Sequence, residues 1–401
     1  FPTRRSSDLS LEISGYLVMQ KTVERQLQDL LRDAAQASPG AARGSAVQQV
    51  GDLFASGMDV ERLTALGVKP IAPELERIAR VQGPRELGET VARLQFVTGE
   101  PMFVAGMISP DPRDRTRNAV YLGDAELGLP TDNYLLPDAQ SIRDGYVRKV
   151  AGFLVVAGFT PAAADAAAKQ VLAIETRIAA KKLTPLEARD PAKRFRPMPY
   201  EEARKLIPSV DLDALFRGLG LPTGGEVIVV EVDAIRERNA ILASSTPEVT
   251  RTYLQWELIR RMAPFLTPAF IQPDAAFSMV LYGKDVTPPR EKQVAGQVQM
   301  LIGHPLSQLY VAKYMTPETK REVEAMVASV KAEFRARIER NGWLSPETRA
   351  QALAKLDRTE IRVGYPTQWI DHAGIDIRRD DYAGNAMRIN EFLARREAVD
   401  R

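Results

Sequence analysis

Thr316-Pro317-Glu318-Thr319 opens the stretch that decides the fold, and Val323, Met326, Val327, Val330, Phe334 and Ile338 follow it. A threonine ahead of Pro-Glu marks a helix start. Its hydroxyl caps a free main-chain N–H, and proline suits the first helical position because its missing donor is not needed there. The apolar residues recur at steps of 3, 1, 3, 4 and 4, the period of one helical face, and predict a core stripe. Ser345-Pro346-Glu347-Thr348 repeats the device 29 residues later. Leu353 and Leu356 are the apolar positions of that second helix, and Gly364-Tyr365-Pro366 reads as its stop. Beyond the two caps the stretches do not match, so they are not a repeat array.

Working outward, helices dominate. Val23, Leu27, Leu30 and Leu31 form a stripe on a helix starting near Gln20, and shorter amphipathic segments lie at Ala46–Ala55 and Glu86–Phe96. Met102–Ile108 and Asn118–Leu122, joined by an Asp/Pro/Arg connection, read as a β-hairpin. Residues 139–157 and 161–181 read as a helical hairpin broken at Gly158 and Pro161. Lys182–Met198, with Pro185, Pro191 and Pro197, reads as a loop and a candidate domain junction, and Glu226–Val232 as the strongest strand. Helices resume near Asp233, Pro247 and Thr267. Trp256, Trp343 and Trp369 lie on or beside helices and read as packing residues. The fold class is mainly α, with a small β-hairpin and one or two short strands.

Composition excludes several chemistries. There is no cysteine, which removes disulfides, thiolate zinc sites and cysteine nucleophiles. A formal charge of +2 over 401 residues offers no broad basic face for nucleic acid. The longest apolar run, Val150 to Phe159, is far shorter than the roughly 18 residues a spanning helix needs, so no transmembrane segment is expected. Only His304 and His372 are present, 68 positions apart, whereas a zinc-protease helix needs two imidazoles one turn apart with a glutamate base between them.

The remaining candidates favour plain roles. His304, between Gly303 and Pro305, reads as a structural histidine. His372 stands beside Asp371, but without a Gly-x-Ser-x-Gly nucleophile the segment reads as solvated loop. Asp380-Asp381 lack further oxygen ligands at calcium-loop spacing and read as surface charges. Gly218, Gly220, Gly224 and Gly225 precede a strand instead of following one and have no Lys-Ser/Thr partner, which excludes a P-loop. Lys284, Arg290 and Lys292 around Pro288-Pro289 read as a solvated turn in preference to an anion site. No catalytic, cofactor-binding or metal residue is assigned.

Residues 1–9, Phe-Pro-Thr-Arg-Arg-Ser-Ser-Asp-Leu, match one reading frame of a common sequencing-library adaptor and read as a cloning artefact, so the absence of a leader carries no information on localisation.

Several stretches together resemble the neprilysin and endothelin-converting-enzyme family of zinc metallopeptidases. Leu127-Gly128-Leu129-Pro130-Thr131-Asp132-Asn133-Tyr134 is similar to its Gly-Leu-Pro-x-x-x-Tyr turn. Val171-Leu172-Ala173-Ile174-Glu175-Thr176-Arg177 with Arg189-Asp190-Pro191, Thr252-Tyr253-Leu254-Gln255-Trp256, and Leu309-Tyr310-Val311-Ala312-Lys313-Tyr314 resemble further family segments in the same order. The sharpest similarity runs from Trp343-Leu344-Ser345-Pro346-Glu347-Thr348 through Lys355-Leu356 to Gly364-Tyr365-Pro366. Arg290-Glu291 departs from the Arg-Trp usual there, and the missing cysteines fit a bacterial-type member.

The resemblance covers the family's N-terminal, mostly helical part. Residues 10–401 are then one N-terminal domain, and Ala398-Val399-Asp400-Arg401 resembles the segment just before the catalytic part. The resemblance implies that the Asn-Ala-Tyr/Phe strand, the His-Glu-x-x-His helix and the later glutamate ligand would follow residue 401. Zinc would belong to the parent enzyme, with none bound by this chain. The implied role is a helical lobe walling a closed cavity and limiting substrate size, with the catalytic domain and peptides as partners and a periplasmic or extracellular location. The alternative is a non-catalytic helical protein-binding module.

Overall fold

The computed structural model of the chain describes residues 15–399. The first five helices are α1 (Gly15–Ala37), α2 (Ala46–Met58), α3 (Val60–Leu66), α4 (Ala72–Ala79) and α5 (Pro84–Thr98). Strands β1 (Val104–Pro110) and β2 (Asn118–Asp124) precede α6 (Thr131–Leu135), α7 (Gln140–Val156), α8 (Pro161–Ala179) and α9 (Pro191–Arg194). Then come β3 (Phe195–Pro199), α10 (Tyr200–Leu206), α11 (Leu212–Gly218), β4 (Glu226–Val230), α12 (Val232–Ser244), α13 (Pro247–Met262) and α14 (Ile271–Tyr282). The last four are α15 (Arg290–Tyr314), α16 (Pro317–Arg340), α17 (Pro346–Arg358) and α18 (Tyr382–Val399). The mainly helical class with a small sheet holds. The adaptor-like residues 1–9 and the last two residues of the 398–401 segment lie outside the described residues.

Four helices start by one device, a hydroxyl residue ahead of proline. Thr160, Thr246, Thr316 and Ser345 each accept from the main-chain N–H three residues on, at 3.3, 3.4, 3.1 and 3.2 Å. Each cap satisfies a donor the helix leaves unpaired and is worth about 0.5–2 kcal/mol.

The chain forms two compact units. One takes residues up to Phe54 together with Ala295–Gly374, and the other takes Ala55–Val294 with residues from Ile375 onward.

The second unit holds the sheet, in the order β1-β2-β4-β3. β1 and β2 are an antiparallel hairpin running from Val104↔Asp124 to Pro110↔Asn118. β4 is parallel to β2 and antiparallel to β3. Val227, Ile228 and Val229 of β4 are fully buried, as expected of a central strand covered on both faces. Lys182–Met198 is therefore not a plain loop: it contains α9 and most of β3. Pro197 and Pro199 disguise that strand, yet proline is tolerated on an edge, where one side of the backbone has no ladder to feed.

The core of this unit gathers around Trp256 of α13, which meets Tyr146 and Phe153 of α7 edge-on at 6.1 and 5.8 Å. Such pairs add about 0.5–1.5 kcal/mol beyond the area they bury. α7 turns into α8 at Gly158, whose φ of 101° only glycine adopts without strain.

In the first unit, α1 is already helical at Gly15, the first described residue and ahead of Gln20, and it buries Leu30, Leu31 and Ala34. α15 is broken at Ile302 (φ −130°, ψ 48°), three residues before Pro305, whose ring cannot sit against the carbonyl four residues back. α16 and α17 bury no residue. The expected core stripe is wrong in destination: Met326, Val330 and Phe334 are 59, 55 and 58% exposed, and Val323, Val327 and Ile338 only half-buried. Trp343 is 83% exposed and is not a packing residue. α17 ends at Arg358, well before Gly364-Tyr365-Pro366. Gly364 has another role, since at φ 71° a Cβ there would lie 2.5 Å from Met315 Cε.

Candidate functional site

The first unit brings the two histidines together. His304 on α15 and His372 in the loop after α17 stack with ring centroids 6.2 Å apart. One residue sets both rings: Ile370 donates its N–H to His304 Nδ1 (3.2 Å), and its carbonyl meets His372 Nδ1 (2.9 Å). In the neutral rings this puts the proton on His304 Nε2 and on His372 Nδ1. Buried Gln49 of α2 donates to the His372 carbonyl at 2.5 Å. His372 is itself 4% exposed, so the segment is not solvated loop; its polar neighbours conceal a buried ring. Asp371 accepts from the N–H of Ala373 (2.8 Å), holding its own turn.

Beside this pair lies a cavity of about 200 Å³ lined by Gly44, Gln49, Gln308, Trp369, Asp371 and His372 among others. Among the described residues no serine or threonine lines it, so they offer no hydroxyl nucleophile for acyl transfer there. Among the described residues, no group of three His, Cys, Asp or Glu is placed to hold a metal. The two imidazoles already spend Nδ1 on the backbone and lack a third ligand of the type zinc requires. The residues present do not fit a zinc centre.

The other weighed residues are structural. Arg290 donates twice to the Gly57 carbonyl (3.0 and 2.7 Å) and lies over the Tyr382 ring, so it is half-buried and not part of a solvated turn. Asp380 pairs with Arg62 at 3.3 Å. Asp381 accepts from Gly384 N (3.1 Å) and Arg388 (2.8 Å) at the start of α18.

The second unit hides a polar network that motif reading does not find. Glu257 of α13 is fully buried and bound by Arg260 and Arg261, both at 2.6 Å. Burial opposes its charge, but the two guanidiniums outweigh it and hold the carboxyl below the ordinary glutamate range. The spacing Glu257, Arg260, Arg261 is the available sequence signal, since residues three and four apart share a helix face. Arg238 of α12, also fully buried, pairs with Asp124 and donates to the Ala125 carbonyl at 2.8 Å. Tyr134 accepts from Leu129 N (2.8 Å) and donates to Glu175 (2.7 Å). The turn at 127–134 is thereby tied to α8, and both stretches are among those that resemble the family.

The same holds elsewhere. Tyr310 donates to Gln26 at 2.8 Å, Lys313 pairs with Asp33 at 2.8 Å, and Asp190 caps α9 through Ala192 N at 2.9 Å. These residues, which carry part of the family likeness, are joints of a helical scaffold.

Comparison with known proteins gives that scaffold a family. The profile described as Peptidase family M13 matches residues 5–366. Endothelin-converting enzyme 1 of Cavia porcellus is 23% identical over 355 residues, covering 84% of this chain and 47% of that protein. The human enzyme is 23% identical over 359 residues, with coverage of 84% and 46%. The zinc metalloprotease Zmp1 of Mycobacterium tuberculosis, in its open state, superimposes with a TM-score of 0.85 at 28% identity, over 95% of this chain and 59% of that one. PepO from Lactobacillus rhamnosis shares the fold, with a TM-score of 0.80 at 20% identity over 95% and 60%. The chain belongs to peptidase family M13, the zinc metallopeptidases that include the neprilysin and endothelin-converting-enzyme group. It spans about half the length of the curated relatives it matches.

Proposed function

We propose that this chain is the non-catalytic helical lobe of a zinc metalloendopeptidase acting on oligopeptides, inactive by itself. The zinc ligands and general base belong to a catalytic lobe encoded beyond residue 401, and residues 10–401 act as one structural partner to it. The lobe walls the substrate cavity and admits peptides while excluding folded proteins. Residues 1–9 we read as translated adaptor. The parent enzyme works in the periplasm or outside the cell, as its family likeness suggests; among the described residues no helix is long and apolar enough to cross a membrane.

The observation that carries this proposal is a match along 95% of this chain to a zinc metalloprotease of which it covers only 59%. The bare faces of α16 and α17 support it as well, because a helix with no buried residue gains little from its own unit.

Zinc calorimetry with a quenched-peptide cleavage assay tests the proposal. The chain alone should bind no zinc stoichiometrically and cleave nothing a chelator can block. Tight one-to-one zinc binding with chelator-sensitive cleavage would overturn it.

A further inference from the structure

The acids buried in the second unit are not treated alike. Glu74 holds Arg93 at 3.0 Å, Asp111 holds Arg113 at 2.7 Å, Asp124 holds Arg238, and Glu257 holds Arg260 and Arg261. Glu175, on α8 and 0% exposed, has no cation within ion-pair distance among the described residues. It keeps one strong contact, the Tyr134 hydroxyl at its Oε2.

Helices α6, α7, α12 and α13 pack against α8. Its own helix carries Arg177, which pairs with Glu237 of α12 at 2.8 Å. From α12, Arg238 is committed to Asp124. From α13, Tyr253 and the Glu257 carboxylate face the site, and Arg260 is bound to Glu257 and to the Glu126 carbonyl. From α7 comes the Tyr146 hydroxyl, and from α6 that of Tyr134. Glu175 Oε1 and the Tyr146 oxygen are both buried without a hydrogen-bond partner. Gly128 closes the turn side, where a Cβ would lie 1.8 Å from that oxygen.

We infer that Glu175 is a proton-dependent lock: folding loads one proton onto its carboxyl, and losing it leaves an unpaired buried charge between α8 and α13 that destabilises the folded unit. Hydrogen bonding works against the proton, because the Tyr134 hydroxyl donates to Oε2 and favours the ionised form. Charge decides the matter. An ionised carboxylate here would be out of water, unpaired, and beside the carboxylate of Glu257. Burial first, and then the charge of Glu257, push Glu175 up to about 7.

The sign follows from linkage. Below the ordinary glutamate value of 4.5, folded and unfolded chains both hold the proton. Between 4.5 and about 7 only the folded chain holds it, so stability falls as pH rises. Above that window the contribution is gone. The unfolding equilibrium constant should rise on the order of a hundredfold across it.

The test is urea unfolding of the chain against Glu175→Gln from pH 4.5 to 8, followed by Trp256 fluorescence with Trp343 and Trp369 replaced by phenylalanine. The native carboxyl should show the hundredfold excess slope and the amide variant should lack it. Parallel pH curves would overturn the lock. Should the variant not fold, carboxyl-carbon NMR of the unmutated chain labelled at glutamate decides. One glutamate should titrate near neutrality, and a spectrum with all of them in the ordinary range would overturn the inference.

Discussion

Replacing Phe334 by alanine separates a helix face that waits for a partner from one that is simply wet. Phe334 is 58% exposed on α16. An aromatic side chain presents roughly 150–250 Å². The covered part, about 80 Å² at about 25 cal/mol per Å², limits the cost in the chain alone to about 2 kcal/mol. The exposed part, about 120 Å², holds back about 3 kcal/mol that only a covering surface would release. Urea unfolding of Phe334→Ala should therefore lose at most about 2 kcal/mol in this chain. In a full-length parent carrying the proposed catalytic lobe, the loss should approach the 3–5 kcal/mol of a core phenylalanine. Equal losses in the two proteins would refute the claim that the stripe is covered by that lobe.

Other substitutions test the scaffold itself. Ser345→Ala removes the cap of α17 and should cost about 0.5–2 kcal/mol in thermal or urea melts, with turnover per folded molecule of the parent unchanged. Glu257→Gln leaves Arg260 and Arg261 buried without their carboxylate and should destabilise the second unit by about 3–5 kcal/mol in urea titration. Gly128→Ala drives a methyl into the Tyr146 hydroxyl and should lower the melting temperature sharply. Tyr146→Phe in the same chain should recover only part of the loss, because Tyr146 Cζ would still lie 2.5 Å from that methyl.

Local chemistry was legible where it acts locally. The caps at Thr316 and Ser345 and the break at Gly158 rest on a few adjacent residues, and the structure uses each as read. The β1–β2 hairpin emerged to within two residues because its strands are short apolar runs on either side of a polar connection. Periodicity was less informative. On α16 it identifies the apolar face but not what lies opposite, so a stripe facing water reads like a core stripe. β3 was hidden because its prolines contradict a central strand, and only the pairing partner β4 reveals it as an edge. His372 reads as solvent-facing because Asp371 next to it signals solvent, while the partner that holds its backbone, Gln49, is 323 positions away. Glu175 lay within a recognised stretch, but nothing in a sequence distinguishes a carboxylate that finds an arginine from one that does not.

Both units are discontinuous in sequence, and this constrains how the chain is made. Leu30 and Leu31 are buried in a unit whose other half starts at Ala295. At about 5–20 residues per second of synthesis, that apolar helix face leaves the ribosome roughly 10–50 s before the rest of its unit exists. The second unit waits as well, because its buried Tyr382 and Ile389 of α18 are made only after Ala295–Gly374 of the first unit. Neither core can close early. Until α18 has emerged neither core is complete, and unpaired apolar helix faces are what chaperones bind, so yield in a cell should respond to elongation rate and chaperone supply more than final stability would suggest.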